Sequence, residues 1–129
     1  YGYVYSVESS YQPFSDTGFF GIYFGTEEKT LKKSLAIVHR ELEKLRSKKL
    51  GSLQLHTAKV QAIGQMAMAE ENYASLMLVY AKSLLDHGKI DPLDSIFEQI
   101  RCTSAIELQD IAQEIFQVDQ LTQLIYTPA

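Results

Sequence analysis

Cysteine is nearly absent from this sequence. Cys102 stands alone among 129 residues, so neither an internal disulfide nor a cysteine-rich zinc site is available. Basic residues are also few: 12 Lys and Arg against 16 Asp and Glu leave a formal charge of −4, and the cations form no long block. A nucleic-acid backbone calls for a concentrated basic surface, so the composition argues against nucleic acid as the main partner. No apolar run is long enough to cross a bilayer, and no membrane partner is expected. Gly18, Gly21 and Gly25 sit inside an apolar strand pattern and do not build a phosphate-binding loop. His39, His56 and His87 are far apart, and His39 with Glu41 lacks the turn-to-turn spacing of a helical ligand pair. Their ordinary reading is solvent-facing or helix-end histidine. No nucleophile is spaced against a base in a way that suggests covalent catalysis.

What is present is a hydrophobic fraction of 46%, enough to build a core. The length fits one domain or a piece of one. The chain begins at Tyr1 inside a strand pattern, without an initiator Met or a signal peptide. It reads as a fragment of a longer polypeptide.

The first eight residues alternate, with Tyr1, Tyr3, Tyr5 and Val7 on one face. Phe19 to Phe24 is apolar on both faces, which predicts an inner strand covered on both sides. Between them Pro13, Asp16 and Gly18 supply turn chemistry, so the two runs predict an antiparallel hairpin with a long loop. Thr26 is placed to cap a helix that opens with Glu27 and Glu28. Leu31, Leu35, Val38, Leu42 and Leu45 form its apolar stripe.

A long helical pattern from Leu53 to His87 carries a narrow stripe of Leu55, Ala58, Ala62, Met66 and Ala69. The polar run Glu70-Glu71-Asn72 predicts a bend or break, and Gly88 a stop. Asp91-Pro92 predicts the next start, with Asp91 as cap, and Leu93, Ile96, Phe97 and Ile100 as the buried face. Ser104 and Glu107 have capping-box spacing ahead of Leu108, Ile111, Ala112 and Ile115. Leu121 to Tyr126 is a strand candidate ended by Pro128. Two strands, several helices and one last strand make an α+β fold. Residues 1–25 form the hairpin, 26–118 a helical layer and 120–127 the final strand, with 1–129 as a single domain fragment. Three strands are a thin sheet for this much helix, and a segment supplied upstream in a longer chain would complete it. Cys102 and the Met66–Met68 pair read as packed hydrophobes. Glu41, Glu43, Glu70 and Glu71 read as a solvated helix surface.

The run Gly2-Tyr3-Val4-Tyr5-Ser6-Val7-Glu8-Ser9, followed by Asp16-Thr17-Gly18-Phe19-Phe20-Gly21-Ile22-Tyr23-Phe24-Gly25-Thr26, resembles the pitrilysin/insulinase family of zinc metallopeptidases. Glu41-Leu42 with Lys44-Leu45, Ala58-Lys59 with Gln61 and Gly64-Gln65, and the closing Leu124-Ile125-Tyr126 extend the resemblance over essentially the whole chain. The resemblance implies two homologous α+β domains closing around a chamber. The zinc motif H-x-x-E-H belongs to the first of them and does not occur here. It further implies that this chain is the carboxyl-terminal half of the second, non-catalytic domain, holding no cofactor and cleaving nothing by itself. Zinc is then expected in the catalytic domain, which becomes the partner along with the peptide substrate. Tyr5 matches the family tyrosine that holds substrate backbone and the developing oxyanion, while the companion arginine falls before Tyr1. An exposed sheet edge also allows self-association. A different class of function, a non-enzymatic protein-interaction module, fits the same hairpin and helices.

Overall fold

The computed structural model describes residues 2–69 and 71–127. The expectations placed on Tyr1, Glu70 and Pro128 lie outside the described residues. The chain divides into two compact units, Tyr1–Lys48 with Gln109–Ala129, and Lys49–Leu108.

The first unit opens with β1 (Val4–Pro13) and β2 (Gly18–Thr26), an antiparallel pair running from Val4↔Thr26 to Pro13↔Gly18. The predicted hairpin is present. Its connection is only Phe14 to Thr17, closed by the Phe14 N–H donating to the Thr17 carbonyl at 2.9 Å. The expected long loop is shorter because Ser9 to Gln12 stay in register with Ile22 to Phe19. The inner-strand expectation for Phe19 to Phe24 is corrected. β2 pairs only with β1 among the described residues, and Phe19 and Tyr23 are 60% and 67% exposed.

Helix α1 (Glu28–Ser47) follows and packs on β2. Its stripe Leu31, Leu35, Val38, Leu42 and Leu45 is turned inward as the four-and-three spacing requires. Thr26 does not cap it: Glu27 holds the cap position without a side-chain cap bond, and the Thr26 hydroxyl is spent on the Tyr3 carbonyl at 2.6 Å. The buried cluster is Leu42, Ala112 and Phe116, with half-buried Ile22, Val38 and Leu45 against it. Phe20 meets Phe116 edge to face, ring centres 5.1 Å apart. The Arg46 carbonyl accepts from the amides of Gln109 (2.9 Å) and Gln113 (3.1 Å), fastening the end of α1 to the last helix. The final strand is also corrected. Val118–Gln120 is a 3-10 turn, and residues 121–127 pair with no strand. Their β-forming side chains have no adjacent ladder to join.

The second unit holds α2 (Ser52–Ala69), α3 (Tyr73–His87) and α4 (Leu93–Cys102), and α5 (Ala105–Ile115) begins in it. The break at Glu71-Asn72 occurs as the polar run predicts, and the Asn72 carboxamide caps α3 by accepting from the Ser75 N–H at 3.1 Å. Gly88 ends α3 at φ 69°, a left-handed conformation that costs glycine little. α2 packs on α4, and the Lys59 ammonium donates to the Arg101 carbonyl at 2.6 Å. Asp91 is not the cap of α4. Pro92 occupies that position, and the Asp91 carboxylate accepts from Lys89 at 2.9 Å instead. The capping box before α5 forms in full: the Ser104 N–H donates to Glu107 at 2.6 Å, and the Glu107 N–H to the Ser104 hydroxyl at 3.2 Å. Leu108 and Ala112 face inward as expected, but Ile111 and Ile115 are 53% and 42% exposed; Phe116 takes the inward place.

Candidate functional site

The tyrosine strand enters the fold through an irregularity. Val4 opposes Thr26 and Ser6 opposes Gly25, so Tyr5 is the extra residue of a bulge in β1. A bulge rotates its side chain out of the regular alternation. The shared face expected for Tyr3, Tyr5 and Val7 is therefore broken. Tyr3 is half-buried, and Tyr5 stands 77% exposed.

Hydroxyls hold the backbone at this point. Thr26 Oγ1 donates to the Tyr3 carbonyl, and Thr30 Oγ1 lies 2.8 Å from Thr26 Oγ1. Ser34, buried, continues the row by donating to the Thr30 carbonyl at 3.1 Å. The start of β1 is thereby tied to the first two turns of α1. The Tyr5 hydroxyl donates to Glu27 Oε1 at 3.1 Å, and Glu27 is also ion-paired with Lys29. Donation to that carboxylate, followed by its negative charge, pushes the Tyr5 phenol above its ordinary pKa. The phenol thus keeps its proton and serves as a donor. Gly2, Tyr5, Glu27, Lys29 and Thr30 ring a depression of about 180 Å³.

A larger cleft of about 790 Å³ lies beside it, between β2 and segment 121–127. Leu31, Leu35, Val38 and Phe116 floor it. Its carboxylates are Glu8, Glu27 and Glu28, it includes His39, and it carries no Lys or Arg. Glu27 borders both the cleft and the Tyr5 depression.

The other candidates do not converge. His39, His56 and His87 are all exposed. Among the described residues, no three His, Cys, Asp or Glu side chains come together to hold a metal ion. Cys102 is exposed rather than packed, because the last turn of α4 turns it away from the Leu93–Ile100 face. Its thiol donates to Glu98, a contact that raises its pKa and suppresses the thiolate a nucleophile needs. Met68 is 66% exposed, against its reading as core, while Met66 is half-buried. Glu41 and Glu43 form surface pairs with Lys44 and Arg46 at 2.8 Å. The hydrogen bond from Lys44 holds Glu41 below the usual carboxylate range, the opposite of what a general acid requires.

Residues 1–61, which contain the hairpin, Tyr5 and all of α1, match the profile described as the Peptidase M16 inactive domain. Over that stretch the chain is similar to the inactive domain of the M16 peptidases. This is the pitrilysin/insulinase resemblance carried by Gly2 to Ser9 and Asp16 to Thr26. An uncharacterized zinc protease of Bacillus subtilis, YmxG, is 27% identical over 124 residues, covering 96% of this chain and 30% of that protein. A chain of complex III2 from Candida albicans, in a structure with Inz-5 bound, matches with a TM-score of 0.79 at 22% identity. That match covers 86% of this chain and 27% of the other, and it establishes the shared α+β fold. The segment thus spans under a third of the length of both.

Sequence reasoning picked out Tyr5 but not Glu27 as its partner. The helix-start signal at Thr26-Glu27-Glu28 claimed Glu27 for the helix dipole. Its position 22 residues after Tyr5 acquires meaning only once the hairpin folds back.

Proposed function

We propose that this segment completes the substrate chamber of a zinc metallopeptidase whose catalytic, zinc-holding domain lies elsewhere in a longer polypeptide. Its part is to position peptide substrate, and Tyr5 is the residue that does so. The observation that carries this reading is the exposed, protonated Tyr5 hydroxyl, turned out of the ladder by a bulge and held by Glu27 at the rim of a depression. A phenol there can exchange its bond to Glu27 for one to a peptide carbonyl. It gains strength as that oxygen becomes an oxyanion. The sequence holds no H-x-x-E-H motif, and in this reading bond cleavage is left to the catalytic domain.

The test is Tyr5→Phe in the full-length enzyme, with steady-state kinetics on a peptide substrate and zinc content measured together. Loss of a single oxyanion donor lowers kcat by roughly 100-fold. Zinc stoichiometry stays at the wild-type value. Unchanged kcat would end the role assigned to Tyr5.

A further inference from the structure

Helix α3 is short of neighbours. Over Tyr73–His87 only Leu76, Tyr80 and Ser83 are half-buried, and every other residue is exposed. Most of what the helix exposes is apolar. At about 3.6 residues per turn, Ala74, Leu78, Ala81 and Leu85 fall in one row. Tyr73, Met77 and Leu84 form a second row beside it, through Tyr80. Both rows step by four, three and four, the spacing of a seam at which two helices interlock. Leu78 and Leu85 are 67% and 86% exposed, and no charged residue interrupts the rows. Lys82 and Asp86 lie to one side and pair with each other at 2.7 Å. An exposed apolar face of this kind marks an interaction surface.

We propose that α3 is a dimerisation helix, which pairs antiparallel with α3 of a second copy of the chain about a two-fold axis near Val79 and Tyr80. The face is its own complement. Turned end for end, the helix sets Ala74 opposite Leu85 and Leu78 opposite Ala81, small against large, so the two backbones approach closely without a void. In the second row Tyr73 comes opposite Leu84, and Met77 opposite Tyr80. The ends match in charge as well. Glu71 stands just before the helix and Lys89 just after it, and the antiparallel pairing brings each to the other on the second copy. Lys89 already donates to Asp91 at 2.9 Å, and its ammonium has donors to spare. Parallel pairing would instead set Leu85 on Leu85 and Glu71 on Glu71. Opposed helix dipoles favour the antiparallel arrangement further. The inference is independent of the role given to Tyr5, which lies in the other unit.

The experiment is sedimentation analysis of the full-length protein over a wide concentration range, with a crosslinking arm. The wild type forms a dimer. Leu78→Glu raises the dimer dissociation constant at least about 100-fold, because a substitution in a two-fold interface acts twice. Glu71→Lys and Lys89→Glu each weaken the dimer about 5-fold, and combining the two swaps restores it. In a Cys102→Ser background, oxidation of the Leu78→Cys, Ala81→Cys variant gives a covalent dimer, with the disulfide joining positions 78 and 81 of different copies. A monomer at every concentration would overturn the proposal and leave α3 to be covered by another part of the polypeptide. A dimer that survives Leu78→Glu, or that yields no such crosslink, would lie on another surface and overturn it equally.

Discussion

Replacing Phe116 with alanine is the sharpest test of where the core of the first unit lies. The ring is 7% exposed, beside Leu42 and Ala112, with Phe20 edge-on at 5.1 Å. Truncating a buried phenylalanine to alanine costs about 3–5 kcal/mol, part of it from the cavity left behind. The cluster is small and one side of Phe116 faces the cleft, so neighbours relax into the space and the cost falls at the low end, about 3 kcal/mol. Phe116→Leu keeps most of the apolar area but forfeits the aromatic pair, worth about 1 kcal/mol. Native-state hydrogen exchange in the full-length protein reads both as faster opening of the inner amides of α1 near Leu42. The expected acceleration is about 150-fold for alanine and about 5-fold for leucine. Equal effects of the two variants, or an alanine effect below about 1 kcal/mol, would show that Phe116 does not anchor this cluster.

Two further outcomes follow from local geometry. Glu107 has its pKa held below the ordinary 4.5 by its bonds to Ser104, backbone first, so its contribution is present above the unfolded-state value. As pH falls through the lower folded-state value that contribution is lost, and the first turn of α5 frays; circular dichroism and amide exchange between pH 5 and 2.5 follow it. Ser104→Ala costs about 1 kcal/mol at neutral pH but keeps the backbone N–H that holds the carboxylate, whereas Glu107→Gln abolishes the acid step, and an acid step that survives Glu107→Gln would refute the assignment. Gly88→Ala places a Cβ at φ 69° and destabilises by about 1 kcal/mol, read as a lower melting temperature; an unchanged melting point would mean that α3 can end another way.

Much of the architecture could be read from periodicity. The stripe from Leu31 to Leu45, the break at Glu71-Asn72, the stop at Gly88 and the Ser104–Glu107 box are local signals, settled within one or two turns. What escaped depends on neighbours distant in the chain. Leu124-Ile125-Tyr126 has strand-forming side chains, but a strand needs a ladder, and none adjoins it among the described residues. Thr26 has a capping residue type and a capping position, yet the Tyr3 carbonyl competes for its hydroxyl. The bulge at Tyr5 leaves no trace in composition, because it arises from how Val4 and Ser6 register against Thr26 and Gly25. Tyr5 itself was singled out by its place in the run Gly2 to Ser9; nothing in alternation alone separates it from Tyr3. Phe116 went unnoticed because it follows the last periodic position of α5.

The fastening of α1 to α5 has a bearing on how the chain reaches this state. Arg46 and Gln109 are 63 residues apart, and everything between them, from Lys49 to Leu108, condenses as a unit of its own. Closing a flexible loop of that length costs roughly 3–4 kcal/mol in its length-dependent part alone. Helices α2 to α4 form through short-range contacts and can organise first, which replaces a floppy excursion with a compact spacer. The core around Leu42 and Phe116 therefore closes a long-range contact across a segment that is compact in its own right.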